Sequence, residues 1–332
     1  MIPVERSHLQ IAADSHPGMM GKNNEDQFSV SAFRLSVRDA TPALFAILAD
    51  GIGGHQAGEV ASEIAVEMVS QAAAKSDASQ PTAIMQAAII QASQAILAAS
   101  KKEDAKQGMG TTCVCAWIIG NQLYAASVGN SRIYLVRGNQ MIQLTVDHTW
   151  VQEAVEAGAL TDEQARSHPH ANIIRRYLGS PQPVEVDLRI RSDRRSEPSE
   201  KNQGMRLYPG DRLILCSDGL SDMVDDETIL KIAKFDELDD VVPALIEEAN
   251  RNGGKDNITV VAIGVPYRIS WLRFPRIAWR SPKYKAALSF IGLGLIAIIM
   301  FVALLVFGWR VVTKPPTPSP TTPTVVVETP TP

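Results

Sequence analysis

The chain has 332 residues, of which 45% are hydrophobic and 20% charged, a composition typical of globular proteins and long enough for one large domain with additional segments. The formal net charge of -4 gives no reason to expect a nucleic acid as partner, and we expect none. Three cysteines in apolar surroundings exclude a disulfide framework, and no Cys/His spacing resembles a zinc site.

Strand patterns recur through the first four fifths of the chain. Apolar runs with β-branched or aromatic residues predict strands at 28–37, 44–49, 112–119, 123–128, 133–136, 212–216 and 257–265. Two Gly-Asn pairs, at 120–121 and 138–139, separate neighbouring runs at the distance of a hairpin turn. The middle of the domain therefore consists of antiparallel hairpins.

Helix patterns lie between these groups of strands. Apolar residues at helical spacing predict helices at 57–68, behind Pro81 and at 241–249. Thr161 and Gln164 have the spacing of a capping box, and the polar stretch 191–203 is predicted to be a loop. Helices set apart from clustered hairpins favour an α+β fold, with antiparallel sheets covered by helices, over repeated βαβ units.

The C-terminal part of the chain has a different character. Residues 286–309 carry no charge, and at 1.5 Å per residue they span about 36 Å, enough to cross a hydrocarbon core of about 30 Å. We therefore predict one transmembrane helix there. The flank before it is basic and has no acid: Arg268, Arg273, Arg276, Arg280, Lys283 and Lys285. Only Arg310 and Lys314 are basic after it, so the positive-inside rule leaves the N-terminal part in the cytoplasm.

These patterns predict four parts. Residues 1–266 form one domain, 267–285 a basic juxtamembrane segment, 286–309 a single membrane span, and 310–332 a Pro/Thr-rich, extended tail on the outer side. Trp271 and Trp279 within the basic segment suit contact with anionic lipid, although a plain stop-transfer flank accounts for the same residues. The predicted location is the cell membrane, with the domain cytoplasmic.

One acid follows an apolar strand directly. In LFAILADGIGGHQAGEVAS, Asp50 stands between the strand and a glycine-rich turn. A nucleotide-binding loop fits poorly, because Gln56 occupies the place of the third glycine of G-x-G-x-x-G and a carboxylate would repel a pyrophosphate. A cation fits better, because small residues allow a backbone carbonyl and water to join the ligand set.

A single acid cannot hold Mg²⁺ or Mn²⁺ firmly, so further ligands should come from elsewhere in the chain. Three segments offer them at strand edges: Asn24-Glu25-Asp26, Ser217-Asp218-Gly219 and Lys255-Asp256-Asn257. Any one of these acids, taken alone, could be a solvated turn carboxylate. Together with Asp50 they predict a cation site where several strand ends meet.

The order of these segments is informative, together with the motifs between them. The motifs are NNED at 23–26, ADGIGGHQAGEVAS at 49–62, GMGTT at 108–112, VGNSRIYLVR at 128–137, QLTVDHTWVQEAVEAGAL at 143–160, HPHANIIRRYLG at 168–179, PGDRLILCSDGLSDMV at 209–224 and GKDNITVV at 254–261. Over residues 8–265 the chain resembles the metal-dependent protein phosphatases of type 2C, most closely their bacterial Ser/Thr phosphatase branch. The resemblance implies a two-sheet antiparallel β-sandwich flanked by helices, in four layers α-β-β-α.

The resemblance also implies a centre of two Mn²⁺ or Mg²⁺ ions, with Asp50, Asp218 and Asp256 as the catalytic carboxylates. Asp50 would bridge both ions, Gly51 would give its carbonyl to one, and Asp218 and Asp256 would hold the other. Such ions would activate a water molecule for direct attack on phosphorus and offset the charge of the phosphoryl group.

Glu25 and Asp26 are adjacent on a predicted strand. Their side chains should therefore point to opposite faces. We expect one of the two to reach the metal ions, through a water molecule.

The chain departs from the family pattern in two places. The family usually has an arginine three residues before the asparagine of its first motif, where it grips the substrate phosphate, and this chain has Gly21 there. Lys22 is adjacent, but its ammonium lacks the bidentate geometry of arginine. In VGNSR, Asn130 replaces an acid that helps to hold a third metal ion, so we expect this third site to be weakened.

Two functional hypotheses follow. The first is a membrane-anchored Ser/Thr phosphoprotein phosphatase that opposes a bacterial transmembrane Ser/Thr kinase, with phosphorylated proteins, including the kinase and its substrates, as partners and membrane lipid around its anchor. The second is a weakly active or inactive relative that binds phosphoproteins as a scaffold or regulator. The retained acids favour the first, and Gly21 and Asn130 keep the second open.

Overall fold

The computed structural model describes residues 1–21, 23–53, 57–102, 108–166 and 168–267. The strands in this part of the chain are β1 (Ile2–Pro3), β2 (Gln10–His16), β3 (Gln27–Arg34), β4 (Pro42–Ala49), β5 (Gly51–Ile52), β6 (Gly110–Thr111), β7 (Cys113–Ile119), β8 (Gln122–Val128), β9 (Arg132–Arg137), β10 (Gln140–Gln143), β11 (Met205–Arg206), β12 (Arg212–Cys216) and β13 (Ile258–Gly264). The helices are α1 (Ala57–Lys75), α2 (Pro81–Ser100), α3 (Trp150–Glu156), α4 (Asp162–Arg166), α5 (Asp218–Ser221), α6 (Asp226–Ala233) and α7 (Leu238–Arg251).

The predicted membrane span 286–309 and the tail 310–332 lie outside the described residues. The same holds for the basic segment 267–285, apart from Tyr267. The part from Met1 to Tyr267 is a unit with its own core.

Two antiparallel sheets form the centre of this unit. One has the order β1-β3-β4-β7-β8-β11 and the other the order β10-β9-β12-β13-β2, while β5 and β6 form a short separate ribbon. An apolar layer lies between the two large sheets, with Leu48 of β4 on one side and Leu215 and Val261 of the other sheet facing it. The predicted pair of antiparallel sheets is confirmed.

Helices cover the outer face of each sheet. The helices α1 and α2 pack on the six-stranded sheet through buried residues such as Val69 and Ile89, which belong to the same core cluster as Ile47 and Trp117 of the sheet. The helices α6 and α7 cover the five-stranded sheet, where Leu245 is packed among the outward side chains of β12 and β13. Since β4 has apolar neighbours on both faces, its side chains from Ala43 to Ala49 are all buried, which explains its unbroken apolar run.

Local patterns placed most elements correctly. The capping box is present, since the Thr161 N–H donates to Gln164 Oε1 at 2.9 Å and the Gln164 N–H donates to Thr161 Oγ1 at 3.3 Å. The strand predicted at 28–37 ends earlier, because the Ser36 N–H donates to the Asp39 carbonyl and turns the chain. The sequence reasoning missed β2, whose polar residues weaken the strand pattern.

One described helix, α2, is long and apolar enough to cross a membrane by length and composition. Its side chains Met85, Ile89 and Ile96 are buried in the core cluster shared with α1 and the six-stranded sheet. This packing accounts for its apolar character without a membrane.

Candidate metal centre

Four acids from separate segments meet at one end of the sandwich. Each of them lies beside a strand end: Asp26 before β3, Asp50 after β4, Asp218 after β12 and Asp256 before β13. The register of the sheets brings these ends together, because Gln27 pairs with Ala49 in one sheet and Cys216 pairs with Val260 in the other.

We call the end of the sandwich where these four acids meet the cleft, and its acids range from buried to exposed. Asp26 is only 4% exposed, Asp50 and Asp218 are partly exposed, and Asp256 is exposed. The hydroxyl of Ser217 donates to Asp26 Oδ2 at 2.7 Å, whereas Asp26 Oδ1 is buried and has no hydrogen-bond partner among the described residues. A buried carboxylate oxygen without a donor is costly unless a cation or a proton balances it.

Burial and the charges of neighbouring acids raise the pKa of Asp26, Asp50 and Asp218. Burial raises the pKa of Asp26 to about 7, and the charges of Asp218 and Asp256 add to the shift. Loss of hydration in the cleft, followed by the charges of the other three acids, raises the pKa of Asp50 well above its usual value. The carboxyl groups of Asp50 and Asp218 interact directly, and two neighbouring carboxylates favour a proton shared between them. A divalent cation would remove the need for that proton.

The backbone of Asp50 is held by the GMGTT motif. The Asp50 N–H donates to Thr112 Oγ1 at 2.9 Å, and the Asp50 carbonyl accepts from the Thr112 N–H and the Thr111 hydroxyl, both at 2.8 Å. Gly51 follows in a space that admits no side chain, since a Cβ there would lie 2.4 Å from the Gly58 carbonyl oxygen. These contacts fix the direction of the Asp50 carboxylate.

Glu25 and Asp26 face different parts of the structure. Asp26 points to the other acids, as its interactions with Asp218 and Asp256 show. The Glu25 carboxylate instead lies against the first turn of α1, where a Cβ on Gly58 would be 2.4 Å from Glu25 Oε2. Of the two, Asp26 therefore faces the other acids of the predicted cation site.

Asn130 contacts one of the acids directly. Its Nδ2 donates to Asp218 Oδ2 at 2.9 Å, while its Oδ1 is buried without a hydrogen-bond partner among the described residues. Burial raises the pKa of Asp218, and the hydrogen bond from Asn130 opposes that shift. The amide thus places a hydrogen-bond donor where a carboxylate would add a charged metal ligand.

Asp222 is an acid that the sequence reasoning did not single out. It follows α5, four residues after Asp218, and dehydration together with the charge of Asp218 raises its pKa to about 6. The signal was present as the second acid of SDGLSDMV, because residues four apart lie on the same face of a helical turn.

Asn257 organises the segments around Asp256. Its Oδ1 accepts from the Glu25 N–H at 2.8 Å, and its Nδ2 donates to the carbonyls of Pro17 at 3.2 Å and Asn23 at 3.0 Å. A single side chain therefore joins the NNED and GKDN motifs, which are far apart in sequence.

Gly21 stands at the position where the family has its phosphate-binding arginine. Gly21 is exposed, has φ +68°, and a Cβ there would meet no atom within 4 Å. Lys22 lies outside the described residues. An arginine at position 21 would therefore fit sterically but would strain the backbone.

The donor chemistry fits an oxygen-preferring divalent cation. The site offers carboxylates, the backbone around Gly51 and two buried oxygens without hydrogen bonds, on Asp26 and Asn130. Within the described ranges, no three His, Cys, Asp or Glu side chains are close enough to form a complete ligand set for one ion. A bound ion would therefore take part of its ligands from backbone carbonyls or water, as Mg²⁺ commonly does.

Comparison with known proteins gives a consistent result. The family model described as Protein phosphatase 2C matches residues 19–256. The serine/threonine protein phosphatase PstP of Mycobacterium tuberculosis is 38% identical over 257 residues, which are 77% of this chain and 45% of that protein. The chain thus spans less than half the length of these mycobacterial relatives.

Solved structures agree with this match. The serine/threonine phosphatase of S. agalactiae is similar with a TM-score of 0.67 and 35% identity, over 77% of this chain and 99% of that one. The catalytic domain of PstP, solved with two manganese ions, gives a TM-score of 0.62 and 35% identity, over 77% of this chain and 97% of that one. With its family match extending over most of its length, the chain belongs to the protein phosphatase 2C family.

Proposed function

We propose that this chain is a membrane-anchored, Mn²⁺- or Mg²⁺-dependent phosphatase that removes phosphate from phosphoserine and phosphothreonine in proteins. The observation that carries the proposal is the meeting of Asp26, Asp50, Asp218 and Asp256 in one cleft, where the charges of neighbouring acids raise the pKa of Asp26 and of Asp50. The relatives named as serine/threonine phosphatases, one of them solved with two manganese ions, support the same reaction.

The residues of the chain have distinct roles in this reaction. Asp50, Asp218 and Asp256 would give carboxylate oxygens to two ions, Gly51 its carbonyl, and Asp26 an oxygen at the buried end of the cleft. When bound, the two cations promote the ionisation of the attacking water and offset negative charge on the phosphoryl group. The protein orients these ligands in advance, which reduces the reorganisation needed in the transition state.

Hydrogen bonds around the acids preserve this orientation. Thr111 and Thr112 hold the backbone of Asp50, Ser217 holds one oxygen of Asp26, and Asn130 holds one oxygen of Asp218. The third metal position is proposed to be weak in this chain, because Asn130 supplies a neutral amide there.

The membrane location and the partners are part of the proposal. The uncharged segment 286–309 and the basic flank before it support a single span with the phosphatase domain in the cytoplasm. Phosphorylated proteins would be the substrates, including a transmembrane Ser/Thr kinase that the phosphatase opposes. Membrane lipid would surround the span.

A scaffold or regulator that binds phosphoproteins without turnover is the second candidate. The absence of a side chain at Gly21 and the amide at Asn130 favour it, since both reduce the charge available for binding phosphate or metal. A protein of this kind would bind a phosphopeptide and leave it intact.

Hydrolysis of p-nitrophenyl phosphate by the 332-residue chain, purified in detergent, separates the two candidates. We expect turnover with Mn²⁺ and none with EDTA. Asp50→Asn and Asp218→Asn should each lower kcat/KM at least about a hundredfold, which is about 3 kcal/mol of transition-state stabilisation. Asp240→Asn, an exposed acid on α7, is the matched control and should retain activity. Equal rates with Mn²⁺ and EDTA would contradict the metal-dependent reaction.

The location and the substrate class need separate tests. The chain should be found in the membrane fraction of cells, and deletion of residues 286–332 should release it. A phosphorylated kinase activation-segment peptide should lose phosphate in the presence of Mn²⁺. Recovery of the undeleted chain in the soluble fraction would contradict the anchor.

A further inference from the structure

Two adjacent apolar side chains are exposed near the acids. Met19 is 64% exposed and Met20 is 63% exposed. Both lie in the turn between β2 and β3, just before the NNED motif. Because they are adjacent, the two methionines form a small contiguous apolar surface that a ligand could cover.

The segment that carries them rests directly on the Asp256 turn. The Met19 N–H donates to the Gly254 carbonyl at 2.7 Å, and a Cβ on Gly254 would lie 2.7 Å from Met19 Cγ. One residue earlier, a Cβ on Gly18 would lie 2.2 Å from the Asp256 carbonyl oxygen. The side chain of Met19 therefore lies against Gly254, which precedes Asp256 by two residues in the sequence.

The backbone of this turn is tied down on both sides of the methionines. Asn257 donates to the carbonyls of Pro17 and Asn23, and the Gly18 N–H donates to His16 Nδ1 at 3.0 Å. The methionines thus project from a fixed position at the rim of the cleft.

The neighbouring position adds no side chain that could compete. Gly21 follows the methionines, and a Cβ there would meet open space. A larger side chain at position 21 could contact the substrate, but glycine cannot, so the substrate must be bound through other residues. Apolar contact with Met19 and Met20 is available at the same rim.

We propose that Met19 and Met20 form a contact surface for an apolar residue next to the phosphorylated residue of a protein substrate, so that the enzyme prefers phosphopeptides with an aliphatic neighbour to those with a polar one. The inference rests on the proposed phosphatase function and specifies its substrate class. It assigns the methionines to selectivity and leaves the reaction itself to the acids.

Chain geometry limits how far the neighbours of the phosphorylated residue can lie from the acids. An extended peptide advances about 3.3–3.6 Å per residue, so with the phosphorylated residue at the acids its near neighbours fall within about 10 Å of them. Methionine is unbranched and polarisable, and it adapts to side chains of different shapes. The surface therefore favours apolar character without requiring one particular residue.

The test uses phosphothreonine peptides that differ only in the residues flanking the phosphorylated position, either leucine or serine, on the N-terminal side, the C-terminal side or both. We expect the 332-residue chain with Mn²⁺ to dephosphorylate at least one of the leucine peptides with a kcat/KM about threefold to tenfold higher than that for the corresponding serine peptide. This is the size of effect expected for a partly buried apolar contact. The Met19→Ser/Met20→Ser variant should bring this ratio close to one. Rates on p-nitrophenyl phosphate, which has no flanking residues, normalise each preparation.

Val37→Ser is the matched control, because Val37 is 79% exposed in the turn after β3, at the far end of the strand from Asp26. This variant should keep the leucine preference. Equal kcat/KM for the leucine and serine peptides in the unmodified chain, or a preference that survives in the double variant, would overturn the inference. If p-nitrophenyl phosphate is not hydrolysed at all, the proposed function fails. The same peptide pairs are then compared by binding affinity, where equal affinities overturn the inference as well.

Discussion

Buried and partly buried acids are balanced in two different ways in this domain. Outside the group of four acids, three are paired with arginine: Asp147 with Arg132 at 2.6 Å, Asp211 with Arg137 at 2.6 Å and Asp187 with Arg189 at 2.7 Å. In the cleft, Asp26, Asp50 and Asp218 have no ion-pair partner among the described residues and face one another instead.

The two arrangements have opposite effects on the same functional group. Although burial opposes it, hydrogen bonds from His148 and Arg189 lower the pKa of Asp187. Burial raises the pKa of Asp26 to about 7, because the hydrogen bonds from Thr259 and Ser217 offset only part of the loss of hydration. The arginine pairs therefore neutralise their acids within the fold itself, whereas the cleft needs protons or a divalent cation to balance its charge.

The largest expected effect is the pH dependence of stability in EDTA. An aspartate ionises near pH 3.9 in the unfolded chain, and Asp26 does so near 7 in the folded one, so the folded state binds more protons between these values. The stabilisation from Asp26 is complete below about pH 4 and is lost as the pH rises through 7. At about 1.36 kcal/mol per pKa unit, it amounts to at most about 4 kcal/mol.

Asp26→Asn should flatten this dependence in urea unfolding measured between pH 4 and 8. Saturating Mn²⁺ should do the same in the unmodified chain, because the cation holds the carboxylates ionised. Glu67→Gln, an exposed acid on α1, is the control. The same slope in Asp26→Asn as in this control would show that Asp26 does not carry the effect.

The next largest effect is expected when an arginine–aspartate ion pair is broken. Asp147→Ala leaves the Arg132 guanidinium, whose side chain is 22% exposed, without its bidentate partner, and we expect a loss of about 3 kcal/mol in the free energy of unfolding. Glu247→Ala, which removes the exposed partner of Arg251, should change it by less than about 0.5 kcal/mol. Equal losses for the two variants by urea titration would refute the distinction between buried and surface pairs.

A smaller effect is expected when an acid is added to the cleft. Asn130→Asp replaces the amide donor on Asp218 with a carboxylate, which should permit an additional Mn²⁺ to bind and raise turnover on phosphopeptides up to about tenfold, about 1.4 kcal/mol. Isothermal titration calorimetry would count the ions independently of activity. Asn121→Asp, in the exposed hairpin turn after β7, should leave the ion count unchanged, and an unchanged count in both variants would count against this account of Asn130.

The smallest effect concerns the position that lacks a side chain. Gly21→Arg should lower KM for phosphopeptides, because a guanidinium can bind phosphate with two hydrogen bonds, at a cost of about 1 kcal/mol in stability from the positive φ. Gly138→Arg has the same backbone conformation, with φ +60°, and the same open space. It should show the stability cost alone. A similar KM for both variants would mean that position 21 does not face the phosphate.

Local sequence patterns predicted many of the strands and helices of this structure. The apolar run before Asp50 specified β4, and Arg212–Cys216 has the predicted bounds, because burial on both faces requires consecutive apolar residues. The alternation in Gln10–His16 is too weakly apolar to indicate β2, which forms because β13 provides a complete partner for its backbone. Asp222 was missed for a similar reason, since its environment depends on residues distant in sequence.

The amino-acid sequence alone identified the family motifs, the antiparallel architecture and the acids at strand ends, since these depend on residue type and short-range periodicity. Side-chain direction and pairing required the folded chain. No local pattern distinguishes Asp26, which is buried, from its neighbour Glu25. The contact of Asn130 with Asp218 and the pair of Arg137 with Asp211 join residues that are far apart in the sequence. Their energies depend on which segments meet in three dimensions, because desolvation and charge interactions act through space rather than along the chain.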